Sequence, residues 1–286
     1  MKLIRYGVKG AERPGLIDRQ GRPRDLSSVL DDITPDSLSA AKLRDLAHVP
    51  IDDLPLLPAS VRMGVPVSRV SKLVCVGLNY EDHAREANLP IPKEPIVFLK
   101  AVSALSGPND DVTLPRGSEK SDWEVELGVV IGAQAAYVSE SEALEFVAGY
   151  TVVNDISERA YQFERGGQWT KGKSFDTFAP IGPWLVTKDE IPHPQSLRIW
   201  LDVNSERRQS SNTSAMIFTV PRMVSYLSEL MTLMPGDVIC TGTPAGVGHG
   251  MKPPQFLRAG DTMRLGVEGL GEQQQRVFAY GTNCVK

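Results

Sequence analysis

Residues Ala259 to Tyr280 read AGDTMRLGVEGLGEQQQRVFAY: a turn, an alternating strand, a glycine turn around GLGE and a second strand. This is the pattern of a β-hairpin. PGDVICTGTP, Pro235 to Pro244, repeats the device of a Gly-Asp turn running into a strand. Together they predict antiparallel β architecture. Working outward, KLVCVGL, PIVFLK, VELGVVIG, VAGYTVVND and LRIWLDV are further short strands, and few long helices separate them. The best helix is TVPRMVSYLSELMTL. Thr219 can cap it, Pro221 sits in its first turn, and Val220, Met223, Val224, Leu227 and Leu230 form one face that packs on the sheet. Strand and helix do not alternate regularly, so a doubly wound dinucleotide fold is disfavoured. The glycines of TGTPAGVGHG, Thr241 to Gly250, read first as turns.

The first 68 residues are expected to form a small β-rich module and linker ahead of a larger domain over 69–286. KLIRYG and GLIDR are strands, Ser37 to Ala47 has helical spacing, and PIDDLPLLPASVRMGVP, with four prolines, is the linker. The 31 Lys and Arg nearly balance 35 Asp and Glu, and no dense basic block occurs. Nucleic acid and anionic membrane are therefore unfavourable partners, and a small molecule is the expected ligand. Cys75, Cys240 and Cys284 lie far apart, which argues against a zinc ribbon or a disulfide framework and fits a reducing cytosol. The N-terminus has no apolar signal core, and no stretch approaches the ~20 apolar residues that span a bilayer. The expectation is a soluble cytoplasmic protein.

GQWTKGKS, Gly167 to Ser174, matches the spacing of a phosphate-binding loop. Such a loop needs a buried strand before it and a helix after it. Here polar SERAYQFERG precedes it, and Pro180 and Pro183 follow it, so the sequence predicts an ordinary loop and leaves Lys173 to be explained.

In SDWEVELGVVIG, Glu124 and Glu126 project from one face of a strand, with Trp123, Val125 and Leu127 on the other. Two adjacent carboxylates in an apolar run suggest an offsetting hard cation, Mg²⁺, Mn²⁺ or Ca²⁺. A half-exposed strand with an acidic outer face is the competing reading. Asp155 ends VAGYTVVND where the chain leaves the sheet, and it could complete the site or cap the following helix. In VGLNYEDHAREANLP, with Asn79 as N-cap, His83 and Glu86 fall three apart on one face. There they form either a carboxylate-oriented base on a lid or a surface pair. His48, His193 and His249 have no such partner and receive no role.

In this order NYEDHAREA, FLK, DWEVELGVVIG, GYTVVNDISERAYQ, KGKSFDTFAPIGPW and PGDVICTGTPAGVG resemble the fumarylacetoacetate hydrolase family, from Ser71 to about Tyr280. Within it the chain is similar to bacterial 2,4-diketo-3-deoxy-L-fuconate and L-rhamnonate hydrolases, which share MKLIRYG-like and ERGGQW segments. The resemblance implies an α+β fold built on a mixed β-roll, usually dimeric. It implies that Glu124, Glu126 and Asp155 bind Mg²⁺ or Mn²⁺, that His83 and Glu86 activate water, and that Lys173 faces the substrate. Arg159, Gln162 and Thr243 match substrate contacts. The implied reaction is hydrolysis of the C3–C4 bond of a 2,4-diketo acid to pyruvate or a related 2-oxo acid plus a carboxylic acid, in sugar-acid or aromatic catabolism. Relatives with such a site also decarboxylate oxaloacetate or isomerise oxo acids. A non-catalytic ion-binding protein would have no use for His83, Glu86 and Lys173. The sugar-acid relatives carry GKGCDTF where this chain has GKSFDTF, so Ser174 and Phe175, bordering Lys173, are expected to alter the substrate's side group.

Overall fold

The C-terminal hairpin forms where the spacing predicts it. Thr262–Val267 pairs antiparallel with Gly271–Phe278, register Val267↔Gly271, and Arg198–Val203 and Glu206–Asn212 extend the sheet on one side. Val112–Thr113 adds a fifth, parallel strand on the other side. This is a computed structural model, and it describes residues 1–86 and 88–282; Cys284 lies outside them.

A larger, ten-stranded sheet carries the rest. From one edge it runs Pro23–Asp25, Arg13–Ile17, Lys2–Tyr6, Ala179–Thr187, Val147–Asn154, Val125–Ile131, Val238–Cys240, Leu73–Gly77 and Ile96–Lys100. Its pairs are antiparallel except for Val238–Cys240 beside Leu73–Gly77 and the short Leu105–Ser106 beside Ala179–Thr187. Mixed sheets and few helices make the fold α+β. The central strands Val125–Ile131 and Val147–Asn154 are buried along their whole length, which is why they read as continuous apolar runs.

Two of the longer strands were not legible. Glu206–Asn212 is polar throughout, and Ala179–Thr187 contains Pro180 and Pro183, which suggest a break rather than a strand. The N-terminal strands join the large sheet through Lys2↔Val186 and Leu3↔Leu185. The proline-rich stretch after them is pinned by Arg62, whose guanidinium pairs with Asp110 at 2.7 Å and Glu12 at 3.0 Å. The 37–47 helix begins at Ala40, capped by Ser39.

The Val220–Leu230 helix starts at the Thr219 cap, whose Oγ1 accepts from the Arg222 amide at 3.3 Å. Val220, Met223, Val224 and Leu227 are buried, but Leu230, placed on the same face by spacing, is exposed because the helix ends there and its last turn leaves the core. Among the described residues no helix is long and apolar enough to cross a membrane.

Candidate active site

The start of the Val125–Ile131 strand lies against the end of Val147–Asn154, with Val125↔Asn154 in register and the Asp155 amide donating to the Glu124 carbonyl at 2.9 Å. This crossing brings Glu124, Glu126 and Asp155 together. All three are buried, and one carboxylate oxygen from each lies within 4.8 Å of the others. The acidic outer face of a half-exposed strand is thereby excluded. Asp155 does not cap the next helix either; Glu158 does, accepting from the Ala160 amide.

Three buried cations surround the cluster. Lys173 Nζ donates to Glu124 Oε2 at 2.6 Å and Asp155 Oδ2 at 2.8 Å, and Lys100 Nζ donates to Asp155 Oδ1 at 2.5 Å. Arg159 bridges Glu124 Oε1 at 2.7 Å and Asp122 Oδ2 at 2.8 Å, and it donates to Gln162 Oε1 at 2.9 Å. Burial alone would raise the Glu124 carboxyl, but the Lys173 and Arg159 charges hold it down to about 2. The same carboxylates, Asp155 and Glu124, overcome burial and hold the Lys173 ammonium above its ordinary value.

Glu126 is the exception. None of the three cations pairs with it, and its Oε2 accepts from the Gly242 amide at 2.9 Å. Burial, then Asp155 and Glu124 among its acidic neighbours, push its carboxyl well above the usual carboxylate range. With Asp122 the site sets four carboxylates against three cations, and the uncompensated charge falls at Glu126. A compact, buried, oxygen-only donor set with one charge left over fits a hard divalent cation.

These residues open onto a cavity of about 720 Å³ that all nine sequence-derived site residues line. His83 and Glu86 reach it from the helix Glu81–Glu86, with Nδ1 3.2 Å from Glu86 Oε2. Asn79 does not cap this helix. It is fully buried, accepting from the Phe218 amide and donating to the Phe218 and Thr241 carbonyls, which ties the root of this helix to the core. Thr243 borders the cavity, but its hydroxyl proton goes to the Val125 carbonyl at 2.8 Å.

The GQWTKGKS segment holds no phosphate cradle. Its helix, Thr170–Lys173, is one turn, and the Thr170, Lys171 and Gly172 amides are taken up by Gln168 Oε1, Gln168 O and Trp169 O. Ser174 accepts from the Ala101 amide and Phe175 packs on Tyr161 and Phe178, so neither lines the cavity and neither can set the side group as the sequence suggested.

Sequence reasoning missed three contributors. Lys100 ends an apolar strand in FLK, where a lysine normally marks the exit to solvent. Asp122 stands two residues ahead of Glu124 in SDWEVELGVVIG and receives no role from the sequence. The third is the backbone of TGTPAGVGHG, which donates from Gly242 to Glu126, from Gly246 to Glu86 at 2.9 Å, and from Gly248 and His249 to Asp122 at 2.7 and 2.9 Å. Gly246 is required there, since at φ +102° a Cβ would lie 1.9 Å from the Arg208 carbonyl oxygen.

Known proteins share this sequence pattern and fold. The model of the fumarylacetoacetate hydrolase C-terminal family matches residues 72–278. A protein of Burkholderia cenocepacia (strain HI2424), whose name goes no further than hydrolase, is 58% identical over 277 residues, covering 96% of this chain and 98% of its own. The crystal structure of 2-hydroxyhepta-2,4-diene-1,7-dioate isomerase from Mycobacterium marinum superposes with a TM-score of 0.76 at 32% identity, over 98% of this chain and 99% of that one. That of maleylpyruvate hydrolase from Sphingobium sp. SYK-6, in complex with manganese(II) and pyruvate, gives 0.82 at 28% identity over 98% and 99%.

Proposed function

The chain belongs to the fumarylacetoacetate hydrolase family, and from its site we propose that it hydrolyses the C3–C4 bond of a 2,4-diketo acid from sugar-acid or aromatic breakdown. The products are pyruvate, or a related 2-oxo acid, and a carboxylic acid. The observation that carries this reading is the His83–Glu86 pair facing the acidic cluster and Lys173 across one cavity. Mg²⁺ or Mn²⁺ on Glu124, Glu126 and Asp155 is the proposed cofactor, and a cytoplasmic homodimer the proposed working form. Manganese and pyruvate in the maleylpyruvate hydrolase complex support the choice of ion and product.

Glu124, Glu126 and Asp155 would hold the divalent ion, which would supply positive charge to polarise the 2-oxo acid end of the substrate. Lys173 and Arg159 add cationic charge at the same end and favour an anionic substrate. Glu86, itself fixed by the Gly246 amide, accepts the Nδ1 proton of His83 and leaves Nε2 free as base. His83 takes a proton from water as the oxygen adds to C4. The C4 oxyanion re-forms its carbonyl as the C3–C4 bond breaks, and the electron pair moves to C3 and the C2 oxygen. Lys173 meets the charge that develops there. The proton held on His83 returns to C3, giving the 2-oxo acid and the second acid.

The test is pyruvate release from acetylpyruvate, fumarylpyruvate and oxaloacetate with and without EDTA. Metal-dependent release of pyruvate and acetate in equal amounts from acetylpyruvate is expected. Pyruvate from oxaloacetate alone would make the protein a decarboxylase. A double-bond shift without cleavage would make it an isomerase, the activity named for the Mycobacterium marinum structure.

A further inference from the structure

The charged end occupies only part of the cavity. Outward from it, Lys173 Nζ sits 5.1 Å above the Phe98 ring, and from Phe98 the ring side chains continue without a break. Phe98 packs on Trp169 at 5.3 Å, Trp169 on the edge of Phe163 at 5.8 Å, and Phe163 on His249 at 5.5 Å with the rings inclined by 31°. All four line the cavity. The wall is built into the fold: Gly77 is bare where Trp169 crosses it, since a Cβ there would lie 2.4 Å from the indole. His249 is fixed through its amide on Asp122. Burial and the nearby Arg159 keep its imidazole below the ordinary value, so the ring stacks uncharged at neutral pH.

We infer that the acyl group released from C4 is flat and apolar, an aryl or conjugated hydrocarbon group lying on this ring wall, rather than a polyhydroxylated chain. This rests on the hydrolase reading and selects among its substrates. Ring faces stack on a planar group and exclude water from it. Hydroxyls lying on these rings would give up water and meet, within the wall itself, the ring nitrogens of Trp169 and His249 alone, the polar Asn88 and Lys252 lining the cavity outside it. Glu164, a polar group at the rim, is already held by Lys120 at 2.5 Å.

The experiment measures kcat/KM for pyruvate release, with Mn²⁺ present, from 2,4-dioxo acids bearing a methyl, phenyl, trihydroxypropyl or carboxyvinyl group at C4. The phenyl substrate is expected to exceed the methyl one by roughly 10- to 200-fold, the range a filled apolar pocket discriminates, with the hydroxylated chain poorest. Phe163→Ala, at the half-open lip, should lower the phenyl-to-methyl ratio by about three- to tenfold. A hydroxylated or carboxyvinyl substrate that outperforms phenyl, or a folded Phe163→Ala protein with the wild-type ratio, overturns the inference. Calorimetry with phenylpyruvate and pyruvate, which are not cleaved, provides an arm independent of turnover. If none of the four 2,4-dioxo acids is hydrolysed, the hydrolase reading fails by itself. Phenylpyruvate binding at least about tenfold tighter then still supports the wall, and equal affinities reject it.

Discussion

Two glycine-rich segments, Gly167 to Ser174 and Thr241 to Gly250, serve different carboxylates of one site and work in opposite ways. The Gly167 segment has the pattern of an anion-binding backbone, yet its Thr170, Lys171 and Gly172 amides are spent inside its own turn and it delivers one side chain, Lys173, to Glu124 and Asp155. The Thr241 segment has the pattern of connecting turns, yet its backbone amides hold Glu126, Glu86 and Asp122. A motif written in residue types records side chains. What the backbone donates depends on where the fold leaves its N–H groups unpaired, and only the structure settles that.

Removing the carboxylates that Lys173 serves should have the largest effect. Asp155→Asn and Glu124→Gln are expected to abolish turnover and Mn²⁺ or Mg²⁺ binding while the fold survives, because each leaves the other cluster members and Lys173 in place. Calorimetry showing wild-type affinity for the ion in both variants would break the assignment.

Next, Lys173→Met should lower kcat by at least ~10²-fold, the scale of one preorganised electrostatic contact. ATP should leave the melting temperature of the wild-type protein unchanged, because the Thr170, Lys171 and Gly172 amides are occupied. ATP protection in a thermal shift at fixed free metal would restore the phosphate-loop reading.

The glycines themselves sharpen the contrast through stability. Gly246→Ala faces both a positive φ and the Arg208 carbonyl, and strained backbone alone costs roughly 1–3 kcal/mol. Gly167, at φ +71°, has open space around its Cβ position, so Gly167→Ala should cost only the ~1 kcal/mol of left-handed backbone. Thermal denaturation orders the two, and equal losses would mean that the Thr241 to Gly250 loop is not the constrained one.

The smallest effect is in pH dependence. Glu124, held near 2 in the fold, sits below its ordinary value of 4.5, so its pairing stabilises the protein above pH ~4.5 and is lost as pH falls toward ~2. Lys173→Met removes one cation and moves the folded carboxyl back toward its ordinary value. The variant should therefore lose less stability than the wild type between about pH 4.5 and about pH 3 in acid-denaturation melts. An identical acid limb would assign the depression to Arg159 alone.

The side-chain chemistry was largely legible because it lies in short, ordered motifs. Glu124 with Glu126 has strand spacing, Asp155 ends an apolar run, and His83 with Glu86 has helical spacing, and the structure gathers all five on one cavity. Long-range pairing was not legible. Lys100 reaches Asp155 across 55 residues, and Asp122 receives amides from Gly248 and His249 more than 120 residues away. Ala179–Thr187 was hidden by its prolines and Glu206–Asn212 by its polarity, because sheet position rather than local pattern decides whether such segments become strands. Asn79 resembles a cap in the sequence because its true partners, Phe218 and Thr241, lie far along the chain.

The account's central claim is that His83, set by Glu86, activates the water that cleaves the diketo acid. The direct measurement is pyruvate release from acetylpyruvate by His83→Ala and Glu86→Ala, with ion affinity by calorimetry and oxaloacetate decarboxylation as the parallel reaction that needs no water. The account predicts hydrolysis slowed by ~10²- to 10⁴-fold, unchanged ion affinity, and any decarboxylation far less affected. Hydrolysis within a few fold of the wild type, or both reactions falling by the same factor with ion binding intact, would contradict it.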